Sequence, residues 1–343
     1  MASLKDISAA CGVSVATVSK ALNDHRDVGE ETKQHIREVA KQMGYFPNAS
    51  ARALRTNRSN SIGVLFVDEV PQSGLTHDYF SHILDSFKVT VEAQGYDVTF
   101  INCNKGRKNT MSYLEHCKYR NVDGVLIACV DFTDTEIRDL VESDIPVVTI
   151  DYVFNNRLAV TSDNVKGIRD LLTYIYEQGH RKVAYVYGHH SAVTDARIKS
   201  FYKTAAELGL DINEDYLIKG SYRDAQYAEK LTAKLLDMKE RPTCIIYPDD
   251  LCAMGGRNEI RSRGLRIPED VSIAGYDGIN ITQQIEPQLT TIYQDTRMIG
   301  RVAAENLINL IEKPKSSLIE HVVVEGNLIR GRSVRKMDAH LQR

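Results

Sequence analysis

Between Tyr45 and Asn60 the chain reads YFPNASARALRTNRSN, and this stretch separates two sequence grammars that no single layered fold can satisfy. Before it, apolar residues recur at helical spacing in short segments. After it, apolar runs of strand length alternate with segments of helix length. The stretch itself can form a further element. After Pro47, Asn48 can cap a short helix bearing Ala49, Ala51, Ala53 and Leu54, while Arg52, Arg55 and Arg58 supply positive charge. A helix this short is unstable alone in water. It is expected to order against a partner surface and so to carry a signal between the parts it joins.

The head opens on Ser3 and Asp6, the spacing of a capping box, with Ile7 and Ala10 on an inward face. Cys11-Gly12-Val13 turns the chain, and Ser14 caps a second helix running through Val18 and Leu22 to Asn23-Asp24. Two short helices on a tight glycine turn form a helix-turn-helix unit, whose second helix can lie in the major groove of DNA. With Val13, Val18 and Leu22 packed inward, Val15, Ala16, Thr17, Ser19 and Lys20 are left outside. Hydroxyls and an ammonium suit phosphates and base edges, and small apolar groups suit thymine methyls. A third helix, entered through Val28, Gly29 and Glu30, closes the core with Ile36, Val39, Ala40 and Met43; Glu30 and Glu31 favour its start and Gly44 its end. Residues 1–60 hold nine Lys or Arg against six Asp or Glu, net +3, leaving −6 on the remainder of a chain of net charge −3. A basic head on an acidic body suits a polyanionic partner.

From Ser61 onward, SIGVLFV, DVTFIN, DGVLIAC and PVVTID alternate with helical patterns near 79–94, 110–119 and 134–142. A second series follows: a helix over 164–177, KVAYVYG, a helix near 194–208, YLIKG, a helix near 224–237, TCIIYPDD, a helix over 251–263, and DVSIAGYDG. Two such series predict two doubly wound α/β lobes. LTTIYQD, a helix over 296–311 and HVVVEG are expected to cross back and complete the lobes. At 343 residues and 43% hydrophobic content, a small module plus a large two-lobed body fits. The expected division is a head over 1–46, a hinge over 47–60, a core over 61–335 and a tail over 336–343.

Several function classes lose support. No phosphate-binding or dinucleotide fingerprint follows a strand, and no nucleophile sits in a supporting motif, so neither cofactor nor catalysis is expected. Six singly placed cysteines predict reduced thiols, and the adjacent pair His189-His190 lacks companion metal ligands. With no export signal at the start and no apolar run of membrane length, a cytoplasmic protein is expected.

Four segments, LKDISAACGVSVATVSKALN, GYFPNASARALRTNRSNSIGVLF, RGLRIPEDVSIAGYDG and TTIYQD, occur in this order, and on them the chain resembles the lactose and galactose repressor family over essentially its whole length. The resemblance implies an all-α helix-turn-helix DNA-binding domain with a hinge helix, then an α/β periplasmic-binding-protein-like core of two doubly wound lobes. It implies a homodimer on pseudopalindromic operator DNA. By position, Val15, Ala16 and Lys20 would read bases, while Ser14, Thr17, Ser19 and Asn23 would dock the helix on phosphates. Leu54 would wedge into the minor groove, with Ala51 near base edges and Asn48 and Arg52 near the backbone, in keeping with an apolar wedge flanked by charge.

At the cleft between lobes the resemblance places His77, Asp78, Tyr79, Phe80, Asp151, Arg197, Tyr222, Asp249, Asp277 and Gln294. Carboxylates, a guanidinium and aromatic rings suit a polyhydroxylated neutral sugar, and three carboxylates disfavour an anionic ligand. The expectation is a repressor of carbohydrate-utilisation genes whose operator affinity follows that sugar. A purine, a sugar phosphate or a phosphorylated carrier protein are the alternative effectors. A sugar-transport component would need only the core and leaves the head unexplained. Local roles compete as well: Asp249 and Asp250 can cap a helix beginning at Leu251, and Asp277 can stabilise a turn. Asp249 stands where the lactose repressor has asparagine, a departure from that galactoside site. The tail after Gly331 lacks a heptad repeat, which favours a dimer over a tail-tethered tetramer.

Overall fold

In the computed structural model, which describes residues 2–46, 58–67, 74–102 and 111–337, Ser3 caps α1 (Leu4–Cys11) through a complete capping box with Asp6, and Gly12 ends the helix at φ +66°. That left-handed turn is open to glycine without strain. Ser14 caps α2 (Val15–Leu22) by accepting from the Thr17 amide, and α3 (Glu30–Gln42) starts with two acidic residues at its positive end. Ile7, Val18, Ala21, Val28, Ile36 and Ala40 form the small core, with Val13, Leu22 and Val39 packed against it. Met43 caps the end of α3 and is exposed rather than part of that core. The chain divides into two compact units, Met1–Ser59 and Asn60–Arg343.

The second unit is two six-stranded sheets. The first contains β1 (Ser61–Phe66), β2 (Asp97–Ile101), β3 (Gly124–Ala128), β4 (Val147–Ile150), β5 (Leu158–Ser162) and β11 (His321–Val324), in the order β11-β5-β4-β3-β1-β2. All five pairings are parallel. Strands buried on both faces must be apolar on both, which is why VLF and GVLIA read as continuous runs. On one face Ile62, Val64, Leu126, Val148 and Val160 pack on α4 (Asp78–Ala93) and α12 (Thr296–Glu312). On the other, Leu65, Val125 and Ile127 meet α5 (Tyr113–Arg120) and α6 (Thr135–Glu142).

The second sheet contains β6 (Val183–Tyr187), β7 (Leu217–Lys219), β8 (Cys244–Ile246), β9 (Ser272–Asp277), β10 (Thr290–Tyr293) and β12 (Asn327–Ile329), ordered β12-β10-β9-β8-β6-β7. Only β12 runs antiparallel. Its faces are covered by α7 (Asn164–Glu177) with α8 (Ala192–Leu208), and by α9 (Ala225–Leu236) with α10 (Asp250–Ser262). The short α11 (Asn280–Gln284) joins β9 to β10. Among the described residues the chain crosses between lobes three times, at 162–164, 293–296 and 324–327.

Two strands escape the sequence patterns. β5 has only Leu158, Ala159 and Val160 as an apolar run and is followed at once by α7, so it reads as a lead-in to that helix. β12 is three residues long and is held in place by β10. Of the late elements, α12 and β11 join the first lobe, whereas β10 remains in the second. Residues 331–337 are not a loose tail: Ser333 Oγ donates to the Ile273 carbonyl at 2.6 Å and accepts from the Thr290 amide at 2.8 Å. The Met337 amide donates to the Gln178 carbonyl at 2.7 Å.

Candidate DNA-reading face and ligand cleft

The outward face of α2 presents Val15, Ala16 and Lys20 exposed, with Thr17 and Ser19 half-buried. Ser14 and Thr17 hold one another, Oγ to Oγ1 at 2.8 Å, while Ser14 accepts from the Thr17 amide at 3.0 Å. Asn23 ends the helix by donating from Nδ2 to the Ser19 carbonyl at 2.6 Å. Lys20 Nζ lies 3.0 Å from Asp27 Oδ2. The face therefore combines a rigid capped start with one flexible cation. Asn48, Ala51, Arg52 and Leu54 lie outside the described residues.

In the core, the carboxyl ends of the strands from both lobes gather the ligand-cleft candidates. Backbone strain gathers there too: Cys129, Asp151, Arg223 and Asp277 follow or end β3, β4, β7 and β9 with φ of +54°, +61°, +60° and +111°. Such non-glycine conformations cost about 1–3 kcal/mol each and persist where their surroundings impose them.

From the first lobe, Tyr79 in the opening turn of α4 donates to Asp151 Oδ1 at 3.3 Å. Phe80 packs edge-on against Tyr79 and His77. His77 is the residue before α4, its Nδ1 buried without a hydrogen-bond partner. Burial, with the Arg223 charge of the other lobe, pulls His77 down to about 3, so the ring stays neutral. Asp78 stands apart: its half-exposed carboxylate lies 3.7 Å from His82 along the same helix.

From the second lobe, Arg197 is only 4% exposed. Its Nε donates to Asn164 Oδ1 at 2.7 Å, its Nη1 donates to the Pro248 carbonyl at 2.9 Å, and its guanidinium lies 3.5 Å from the centre of the Tyr276 ring. Because α8 begins at Ala192, Arg197 stands in its second turn, two residues deeper than a helix starting at Thr194 would put it. Tyr222 is fixed by Thr194 at 2.8 Å and by His189 edge-on. Gly188 leaves room for that ring, since a Cβ there would sit 2.1 Å from it.

Asp249 caps α10, accepting from the Cys252 amide at 2.8 Å, and its other oxygen accepts from the Arg223 amide at 2.6 Å. The local role is real, and the residue also belongs to the cleft cluster. Asp250 is the first residue of α10 rather than its cap; it accepts from Thr291 at 2.6 Å and from the Ile279 amide at 2.9 Å. Gln294, on the second crossing, donates to Asp277 Oδ1 at 2.6 Å. Burial, then the neighbouring Asp249, holds the Asp277 carboxyl well above the usual carboxylate range; burial raises Asp249 and Asp151 also. Arg197 opposes all three shifts.

Sequence reasoning missed Asn164, Thr194, Tyr276 and Arg223. The available signal for Tyr276 was Gly167, an interior helix residue where glycine is costly: a Cβ there would lie 2.1 Å from the Tyr276 hydroxyl. His190 is exposed and lies 3.3 Å from Asp195. Cys11, Cys117, Cys244 and Cys252 are free thiols, and Cys103 lies outside the described residues. No helix among the described residues is long and apolar enough to cross a membrane.

Residues 3–48 match the model of bacterial regulatory proteins of the lacI family, and residues 172–334 match a periplasmic binding protein-like domain. An HTH-type transcriptional repressor PurR of Vibrio cholerae is 34% identical over 91% of this chain and 92% of its own length. Among solved structures, the lac repressor dimer bound to operator and the anti-inducer ONPF has a TM-score of 0.81 at 22% identity, covering 97% of this chain and 99% of that one. A LacI family transcriptional regulator from Enterococcus faecium with bound ribose has a TM-score of 0.68 at 26% identity, covering 81% and 100%. With its capped helix-turn-helix head and two-sheet core, this chain belongs to the LacI family of bacterial regulatory proteins and is a DNA-binding transcriptional repressor.

Proposed function

We propose that this repressor acts in the cytoplasm as a homodimer on pseudopalindromic DNA, and that a neutral sugar between the lobes sets its operator affinity. It is a regulator of carbohydrate-utilisation genes rather than a catalyst. Val15, Ala16 and Lys20 of each head read base edges, Ser14, Thr17, Ser19 and Asn23 dock α2 on phosphates, and the 47–60 segment transmits the state of the core through Asn48, Ala51, Arg52 and Leu54. The reading is carried by one observation: Tyr79–Asp151 from the first lobe and Arg197, Tyr222, Asp249, Asp277 and Gln294 from the second gather at the carboxyl ends of strands from both lobes. Paired acceptors flanked by aromatic faces are what a ring of hydroxyls requires. The ribose in the Enterococcus faecium regulator points the same way.

A ligand shifts the lobes only by binding one arrangement more tightly, and the operator must then alter ligand affinity by the same factor. A flat purine is the second reading, favoured by the aromatic rings of Phe80 on the first lobe and Tyr222 on the second. The test is calorimetric titration of the full chain with neutral sugars and with purine bases, repeated on Asp277→Ala and followed by operator binding with the ligand found. A saturable sugar signal lost in the variant supports the reading; binding of a purine alone replaces it.

A further inference from the structure

The turn that follows α2 is fixed from both sides. Asp24 reverses the chain at φ +58°, and its Oδ1 takes Lys33 Nζ at 3.1 Å and Arg37 Nη2 at 2.8 Å, both from α3. Lys33 is buried and also meets Glu30 at 2.8 Å. On the other side, the His25 amide donates to the Lys20 carbonyl at 2.9 Å, and the Val28 amide donates to the His25 carbonyl at 3.3 Å. The positions of His25 and Asp27 relative to Lys20 are therefore built in, and the two cations of α3 are already given to Asp24 and Glu30.

Within this turn one carboxylate oxygen serves two nitrogens. Asp27 Oδ2 lies 3.0 Å from Lys20 Nζ and 3.2 Å from His25 Nδ1, with all three side chains half-exposed. Phosphates or base edges that engage Lys20 must displace Asp27 from it. The carboxylate is then left beside a negative duplex with His25 as its partner. A neutral imidazole offers it at most one N–H, whereas an imidazolium also cancels its charge in a bond about twice as strong. The exposed Arg26 carries the same charge at every working pH and adds no pH dependence of its own. DNA thus binds the protonated turn more tightly, and by linkage the turn takes up a proton as DNA binds. Histidine is the side chain suited to such exchange near neutral pH.

We propose that His25 is a positioning residue for Lys20: it gains a proton as the head meets its operator and holds Asp27 while Lys20 passes to the DNA, so that operator affinity rises as pH falls. The proposal rests on the reading that α2 meets DNA through Lys20.

The test is fluorescence anisotropy of the full chain with a labelled duplex that the chain itself selects from a random-sequence pool, at fixed salt, from about pH 8 to about pH 5.5. The wild type is expected to gain about three- to tenfold more affinity on acidification than His25→Gln, which keeps an N–H donor but does not titrate. With Asp27→Asn in place, His25→Gln is expected to change nothing further, because the charge that the proton answers is gone. Parallel profiles for the wild type and His25→Gln, or a His25 effect that persists with Asp27→Asn, overturn the positioning role. Lys20→Ala separates the two claims. Weakened binding by that variant alongside parallel profiles rejects the role of His25 alone, and unchanged binding rejects the reading of α2 with it.

Discussion

The ammonium of Lys20 lies 3.0 Å from Asp27 Oδ2, and His25 Nδ1 lies 3.2 Å from the same oxygen. A residue proposed to read bases is thus held by a carboxylate of its own domain, and DNA must take it away. Asp27→Asn is expected to tighten operator binding by about two- to fivefold, the scale of an exposed ion pair. Fluorescence anisotropy with labelled operator measures it. Weaker binding would show that Asp27 instead fixes the loop after α2.

Asn164 supplies the acceptor for Arg197 Nε in a buried site. Asn164→Ala strands that donor and is expected to cost about 1–3 kcal/mol, read by urea denaturation, together with the ligand response. Asn164→Asp restores an acceptor and is expected to recover most of the stability. If alanine is silent, the guanidinium is held by Pro248 and Tyr276 alone.

Gly300 lies where α12 crosses α4, and a Cβ there would stand 2.2 Å from the Ile83 carbonyl oxygen. Alanine improves helix propensity by roughly 1 kcal/mol, yet overpacking against backbone costs about 1–3 kcal/mol or more. The clash wins, so Gly300→Ala is expected to lower the melting temperature. A rise would mean that the two helices separate freely.

Burial pushes the Asp250 carboxyl up to about 7, against hydrogen bonds from Thr291, Ile279 and Thr282. Unfolded, such a group ionises near 3.9. Between those values the folded chain keeps a proton that the unfolded chain releases, so the contribution is full below about pH 4 and fades as pH rises through about 7. Asp250→Asn is expected to flatten the decline in melting temperature from about pH 5 to about pH 7.5. Parallel curves for the two proteins would remove Asp250 from the explanation.

Much of this architecture was legible because local chemistry and global pattern agree. Ser3 with Asp6, Ser14 with Thr17 and Gly12 mark the head helices without any tertiary information. Continuous apolar runs such as GVLIA announce strands covered on both faces. β5 and β12 were hidden because each is short and weakly patterned and is fixed by its pairing, β5 between β4 and the distant His321–Val324, β12 on Thr291–Tyr293. The cleft was legible where an aspartate ends or follows a strand, as at Asp151 and Asp277. It was not legible where a residue works by touching another candidate, as Asn164 and Tyr276 do with Arg197. Asp78 shows the converse, since its position in the sequence says nothing of a side chain turned toward His82.

The three crossings between lobes also order events during synthesis. Ile299, Ala303, Leu307 and Val324 belong to the same core as Ile62 and Val64, so the first lobe cannot close until about 260 further residues have left the ribosome. The head needs only the first few dozen. A nascent chain therefore carries a folded helix-turn-helix head well before the core that would pair it with a second copy and answer to a ligand.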